Sequence, residues 1–314
     1  MKIIRNPAAG ECLSEPHAVT IGVFDGVHRG HRHVVEQTRV LADSTGARLA
    51  VVTFDPHPAR VIRPDSAPKI LTGIDHRLEL LEATGVDTVV VINFDQDQAS
   101  ERAAAFVDRV IVGCLMATSV AVGDDFHFGY KREGTTQLLA ELGAHRGFDV
   151  HALAPVLQAA EVAAVISSTA IRTAIARGDM EAAQSMLGRP HQVRGLVMPG
   201  DQRGRTIGFP TANVDVAIEH ALPADGVYAA RYLMPDGTSH PAAVNVGKRP
   251  TFYADADRSL VEAHLIDYSG DLYEQQAKVD FVKMLRAERR FDGIDALTAQ
   301  LQRDIEQARE VLAQ

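Results

Sequence analysis

The chain changes rhythm once, and that change limits what it can fold into. Up to about residue 185, nearly continuous apolar runs alternate with helix-like stretches. "AVTIGVF" is followed by "HRHVVEQTRVLADSTG", "RLAVVTF" by "DHRLELLEATG", "VDTVVVINF" by "ERAAAFVDRVIVGCL", and "ATSVAVG" comes next. Strands that are apolar at every position, rather than at every second one, are those covered on both faces. Their alternation with helices predicts a parallel, doubly wound, Rossmann-like α/β domain. "MLGRPHQVRG" then breaks the pattern, with Gly188 and Pro190 ending a helix. Beyond it lie short strands, "GVYAARYL", "PAAVNVG", "LVEAHLID" and "AKVDFVK", separated by turns such as "MPDGTS" and "DYSGDL". That texture predicts a small antiparallel β-barrel. Ile294, Leu297, Leu301, Ile305, Ala308 and Leu312 recur at helical spacing and predict one closing helix with an apolar face. Two domains are expected, 1–185 and 186–314.

Composition narrows the function classes. With 314 residues, 46% of them hydrophobic, the chain is large enough for two cores. A net charge of −9 and the absence of Trp argue against a broad nucleic-acid footprint, which needs a basic surface. Small anions remain open, because local sites hold them. No apolar run reaches bilayer length, and the first residues lack the apolar core of a signal peptide. No membrane partner and a cytoplasmic location are therefore expected. Cys12 and Cys114 are the only cysteines, too few for a disulfide framework or a zinc knuckle. Both are expected reduced, with Cys114 packed in a core. The acidic surface is compatible with a monomer or a homo-oligomer.

The first chemical motif is "TIGVFDGVHRGH", residues 20–31. A strand, a glycine-rich loop and a helix start follow one another, which puts His28 and His31 at the carboxyl end of a strand. In open α/β sheets that edge is the ligand crevice, and a helix N-terminus there favours an anion. Gly22, Gly26 and Gly30 permit close backbone approach, and Phe24 and Asp25 lie within the same loop. Imidazoles so placed can donate to phosphate oxygens, and a phosphate favours their charged form. Two other readings stand beside this one. In one the histidines simply pack in a loop; in the other they bind a metal with Asp25 or His33, although the spacing fits no common zinc pattern.

A second motif, "ISSTAIR", precedes another helical stretch. Ser167, Ser168 and Thr169 are helix-capping types, so a plain cap followed by a surface Arg172 is one reading. Three hydroxyls where one would cap favour a second phosphate-facing helix start. Gly26-x-His28-x-Gly30-His31 followed by Ser-Ser-Thr-x-x-Arg resembles the nucleotidylyltransferase superfamily. The resemblance implies that an acceptor phosphate attacks a nucleoside triphosphate in line. His28, His31, Ser167, Ser168, Thr169 and Arg172 would stabilise charge on the transferring and leaving groups.

The third motif, "GDQRGRTIGFPTAN" (200–213), is not a P-loop, because no Gly-Lys-Ser/Thr closes it. It reads either as a turn-rich connection or as a nucleotide-covering segment built on Gly200, Gly204 and Gly208. Arg203 and Arg205 are then available to phosphates, although a solvated turn is their default. After Pro210, Thr211 and Asn213 point the same way in an extended chain. A hydroxyl and an amide oxygen converging there suit Mg²⁺, a hard cation that takes oxygen ligands. Glu262, within "SLVEAHLID", is either a solvent-facing strand residue or, if half-buried beside a metal, a general base for an alcohol.

Together these stretches resemble the bacterial bifunctional riboflavin kinase/FAD synthetase family. The resemblance also takes in "FDPHP", "VGDDFHFG", "LGRP", "NVGKRPTF", "GDLYEQ" and "DIEQAR", and so nearly the whole chain. It implies that the barrel phosphorylates riboflavin with ATP to FMN, and that the α/β domain adenylylates FMN with a second ATP to FAD and pyrophosphate. It further implies that Glu262 is the kinase base, that Thr211 and Asn213 bind magnesium and nucleotide, and that Phe54, His57 and Asp125 lie near the flavin. Three positions depart from the family's habit: Asp125 is often Asn, Ala170 is often basic, and Pro199 precedes Gly200. Two rival expectations remain, a relative with one degenerate site and a catalytically inactive flavin-binding regulator.

Overall fold

The computed structural model describes residues 1–7, 13–157, 165–200, 204, 207–248 and 259–313. Among the sequence features above, Cys12, Arg203 and Arg205 lie outside the described residues. The chain divides into two compact units, Met1–Ser167 and Ser168–Gln314.

The first unit is built on β1 (Lys2–Arg5), β2 (His17–Ile21), β3 (Arg48–Asp55), β4 (Thr88–Asn93) and β5 (Ala117–Gly123). A short hairpin, β6 (His127–Phe128) and β7 (Gly134–Thr135), precedes β8 (Asp149–Leu153). The sheet order is β1-β4-β3-β2-β5-β8, and every pairing within it is parallel. α1 (Arg29–Thr45), α2 (Pro58–Ile62), α3 (Ile74–Glu82), α4 (Gln96–Ser100), α5 (Ala103–Phe106) and α6 (Thr136–Arg146) connect the strands, and α5 runs on as π-helical turns over Val107–Cys114. β2 is buried at all five positions, as a strand with two covered faces must be. Its side chains alternate: Val19 and Ile21 pack with Phe106, Val110 and Ile111, whereas Ala18 packs with Val35, Leu78 and Leu81. Cys114 is buried in the first of these clusters.

The second unit begins with α7 (Ser168–Ala176) and α8 (Met180–Leu187). β9 (His191–Met198), β10 (Ala212–Val216), β11 (Gly226–Leu233), β12 (Ser239–Lys248), β13 (Ser259–Leu265) and β14 (Gln276–Ala287) follow, closing as an antiparallel barrel ordered β10-β13-β12-β11-β14-β9. Side chains of Tyr228, Tyr232, Val244, Val279 and Phe281 are fully buried and fill it. α9 (Ile294–Leu312) lies on the outer wall, with Ala308 and Leu312 against Ala229 and Ile266.

The sequence places the junction at the helix break near residue 185, whereas the compact units divide seventeen or so residues earlier. The reason is packing: α8 lies on β9 and β14, Lys283 reaches Glu181 at 2.9 Å, and a side chain at Gly178 would strike Met284. Gly188 does end α8, in a left-handed conformation (φ 69°).

Candidate active sites

In the first unit, β2 runs up the middle of the sheet and its loop crosses the carboxyl edge before α1. Phe24, Gly26 and Val27 all adopt positive φ, 52°, 85° and 38°. Glycine takes such angles freely; a β-branched residue does so only when its surroundings hold it there. His28 then caps α1, its Nδ1 accepting from the His31 N–H at 3.3 Å. In a neutral ring that leaves the hydrogen on Nε2. The two imidazoles stack, centroids 3.6 Å apart and planes 17° apart, and His31 also meets the Phe24 ring at 5.1 Å. Gly30 makes room for this: a Cβ there would lie 3.1 Å from the His28 ring and 3.4 Å from the Ile166 carbonyl oxygen. Gly22 likewise lies under the Phe24 ring. So the pair does cap and pack, as the plainer reading holds, while standing at a helix N-terminus on the ligand edge, as the phosphate reading requires.

Asp25 is 2% exposed, and its carboxylate turns inward. It accepts from the N–H groups of Leu71 at 2.8 Å and Thr72 at 3.0 Å. These bonds tie the histidine loop to the chain at Leu71 and Thr72. The flavin-side residues expected from "FDPHP" and "GDDF" stand on the neighbouring strands. Phe54, next to last in β3, packs edge-on against Phe94, centroids 5.7 Å apart. His57 caps α2 by accepting from the Ala59 N–H at 3.1 Å. Asp125 is exposed just past β5, and its carbonyl lies 2.7 Å from His127 Nδ1. Because β3, β2 and β5 are adjacent in the sheet, their carboxyl ends bring these three segments to one edge.

Ser167 is the last residue of the first unit. Ser168 and Thr169 open α7 in the second, and Arg172, half-buried, lies on its second turn.

In the second unit the barrel alternation decides which way each residue points. On β10, Ala212 and Val214 are buried, so Asn213 between them faces outward. On β13, Val261 and Ala263 are buried, so Glu262 faces outward too, half-buried. Register sets Asn213 opposite Glu262, and Glu262 opposite Asn245 of β12. Directly paired residues carry their Cβ atoms about 5 Å apart. Three polar side chains thus stand in one row across three strands on the outer wall. Thr211, exposed, precedes β10 by one residue.

Gly200 lies against Asn213 of this row, and Gly204 lies near Thr211. A side chain at Gly200 would collide with the Asn213 amide, and one at Gly204 with the Phe209 carbonyl, 3.7 Å from Thr211 Oγ1. Gly208 has φ 86° and open space around it. Pro210 lends its carbonyl to His264 Nδ1 at 2.8 Å. Above Gly247, Glu288 and the Asn245 amide converge, 3.0 and 3.5 Å from where a Cβ would be. The donors around Asn213 are hydroxyl, amide and carboxylate oxygens, a set that fits Mg²⁺. Asn245 is the member of the row that sequence reasoning missed; its motif was visible, but only strand register shows that it faces Glu262.

The burial of the barrel core has its own electrostatic mark: Tyr228 and Tyr232 are both pushed up to about 12. Neither hydroxyl ionises near neutrality.

Comparison with known proteins agrees with this division. A family model described as FAD synthetase matches residues 11–170, and one described as riboflavin kinase matches residues 187–312. The chain is 39% identical over 311 residues to a bifunctional riboflavin kinase/FMN adenylyltransferase of Escherichia coli (strain K12), covering 99% of this chain and 97% of that one. It is 36% identical over 293 residues to the protein of the same description from Bacillus subtilis (strain 168), covering 92% and 90%. Among solved structures, a Streptococcus pneumoniae chain described as a macrolide-efflux protein superposes with a TM-score of 0.86 at 29% identity, covering 98% of this chain and 99% of that one. For that description we note that no helix among the described residues is long and apolar enough to cross a membrane. Matched in both halves, and along nearly its full length by proteins carrying both, the chain belongs to the bacterial bifunctional riboflavin kinase/FMN adenylyltransferase family.

Proposed function

We propose that each unit carries one step of flavin cofactor synthesis, in the order opposite to the chain. The enzyme converts riboflavin and ATP to FMN in the barrel unit, and FMN and a second ATP to FAD and pyrophosphate in the sheet unit. Domain limits of 1–185 and 186–314 serve this reading, with α7 and α8 joining the adenylylation motif to the barrel.

The observation that carries the kinase assignment is the row Asn213–Glu262–Asn245 on the barrel wall, with Gly200 against Asn213. Glu262 accepts the proton of the riboflavin 5′-hydroxyl. That oxygen bonds to the γ-phosphorus as the bond to ADP breaks. Thr211 and Asn213 supply the oxygens that would hold Mg²⁺, which when bound neutralises developing phosphate charge. Gly200, Gly204, Gly208 and Pro210 let the backbone lie against the nucleotide.

In the sheet unit no protein nucleophile is needed. A phosphate oxygen of FMN attacks the α-phosphorus of ATP, and pyrophosphate leaves. His28 and His31, at the α1 N-terminus, donate to the ATP phosphates. Gly22, Phe24, Asp25 and Gly26 shape the loop that positions them. Ser167, Ser168, Thr169 and Arg172 are assigned to the same phosphates on their sequence pattern. Phe54, His57 and Asp125 are assigned to the flavin because the topology sets them on neighbouring strand ends. Both reactions consume ATP, which supports a cytoplasmic location.

The test is a time course. Purified protein is incubated with riboflavin, ATP and Mg²⁺, and riboflavin, FMN and FAD are separated. FMN rising first and FAD following supports both assignments. FMN alone overturns the adenylylation site, and bound but unconverted riboflavin favours the regulator.

A further inference from the structure

The loop that presents the two histidines is strained at Phe24 and Val27, and something outside it must hold it. A closed circuit of buried hydrogen bonds does so. Thr72, 2% exposed, uses all its polar groups. Its N–H donates to Asp25 Oδ1 at 3.0 Å. Its hydroxyl accepts from the Gly26 N–H at 3.0 Å and lies 3.4 Å from Asp25 Oδ1. Its carbonyl accepts from Arg77 Nη2 at 3.4 Å. Arg77, at 1% exposure, carries the circuit onward with Nη1, 2.8 Å from the Phe54 carbonyl and 3.3 Å from Thr53 Oγ1. The Thr53 hydroxyl then donates to the Val23 carbonyl at 2.9 Å, back at the start of the loop.

The circuit grips the loop on both sides of Phe24, at Val23 and at Asp25–Gly26. It also ties it to the end of β3, where "FDPHP" begins. Arg77 is engaged through Nη1 and Nη2, while its buried Nε has no hydrogen-bond partner among the described residues. Burial pushes the Arg77 pKa down, and Asp25 and Asp55 nearby oppose this.

We propose that Thr72, braced by Arg77, is a positioning residue for adenylyl transfer: it sets the backbone of the histidine loop and locks it to the flavin-side strand end. This rests on the reading of that loop as the ATP-phosphate site. A misplacement of about 1 Å at a phosphate site can cost on the order of a hundredfold in rate.

The experiment uses the full-length protein and follows FAD formation from supplied FMN, with FMN formation from riboflavin measured on the same sample. Thr72→Val keeps the shape and removes the hydroxyl. It is expected to raise the KM for ATP about tenfold and to lower kcat in FAD formation. FMN formation stays unchanged, and Thr72→Ser restores both parameters. A role in stability alone would lower kcat through loss of active molecules, with KM unchanged. That result, or normal kinetics, overturns the proposal. Should Thr72→Val fail to fold, Arg77→Lys decides: it keeps the charge and loses the forked reach, so an unchanged KM for ATP overturns the proposal and a raised one supports it. His28→Ala is run in parallel. If it makes FAD normally, the reading of the loop fails; if it is inactive while Thr72→Val is normal, only the present proposal fails.

Discussion

His17 shows how a single residue can tune stability at a distance from any chemistry. It begins β2, is 2% exposed, and sits with Nδ1 3.0 Å from the Leu115 carbonyl and Nε2 3.4 Å from Thr88 Oγ1. Burial pushes its pKa below the usual histidine range, and the Leu115 carbonyl opposes this only in part. The unfolded chain therefore takes up this proton before the folded one does. The contribution is fully present above about pH 6.5 and is lost as pH falls below it. Unfolding midpoints of the wild type are expected to drop between pH 7.5 and 5.5, and His17→Gln should flatten that slope; equal slopes would refute the assignment. None of this is legible in the sequence, where His17 is one histidine among thirteen. His28 and His31 differ, because their glycine-flanked spacing announced them. Thr72 and Arg77, like His17, take their meaning only from what they touch.

At the scale of elements, α9 is the best test of how far periodicity reaches. Its apolar spacing foretold a helix docked on the barrel, and Ala308 and Leu312 do pack there. The polar side of the interface was not foretold. Asp304 is 1% exposed and takes Arg286 of β14 in a forked pair, at 3.0 Å from Nε and 2.8 Å from Nη2. Gln300 adds 2.6 Å to Asp304 and collects Arg303 at 2.8 Å. Phe291 lies beneath Arg286 and Arg289. Asp304→Ala strands the Arg286 charge and should cost about 3 kcal/mol in the barrel unit. Denaturant unfolding followed through loss of kinase activity checks it, and a cost near zero would mean that the pair is idle. Helical spacing marks apolar residues; it does not say which charged residue is turned inward, because that depends on the facing strand.

For the whole molecule, two separate sites predict separable losses. Asn213→Ala should cut FMN formation by about a hundredfold and leave FAD formation from supplied FMN near normal. His28→Ala should do the reverse and accumulate FMN. Equal loss of both activities in either variant would sink the two-site assignment. Much of this organisation was determined by the sequence itself. Doubly covered strands, hairpin strands and an amphipathic helix each have a period that the chain displays, and the glycine- and histidine-rich loop before α1 can be read directly. Tertiary structure decided the rest. It put α7 and α8 with the barrel, because α8 packs on β9 and β14 and α7 packs on α8. It turned Asp25 inward to Leu71 and Thr72, and it joined Asn213, Glu262 and Asn245 through strand register. These outcomes depend on which segments become neighbours across long stretches of chain. Local sequence sets a residue's period and type; only the closed sheet and barrel set its partner.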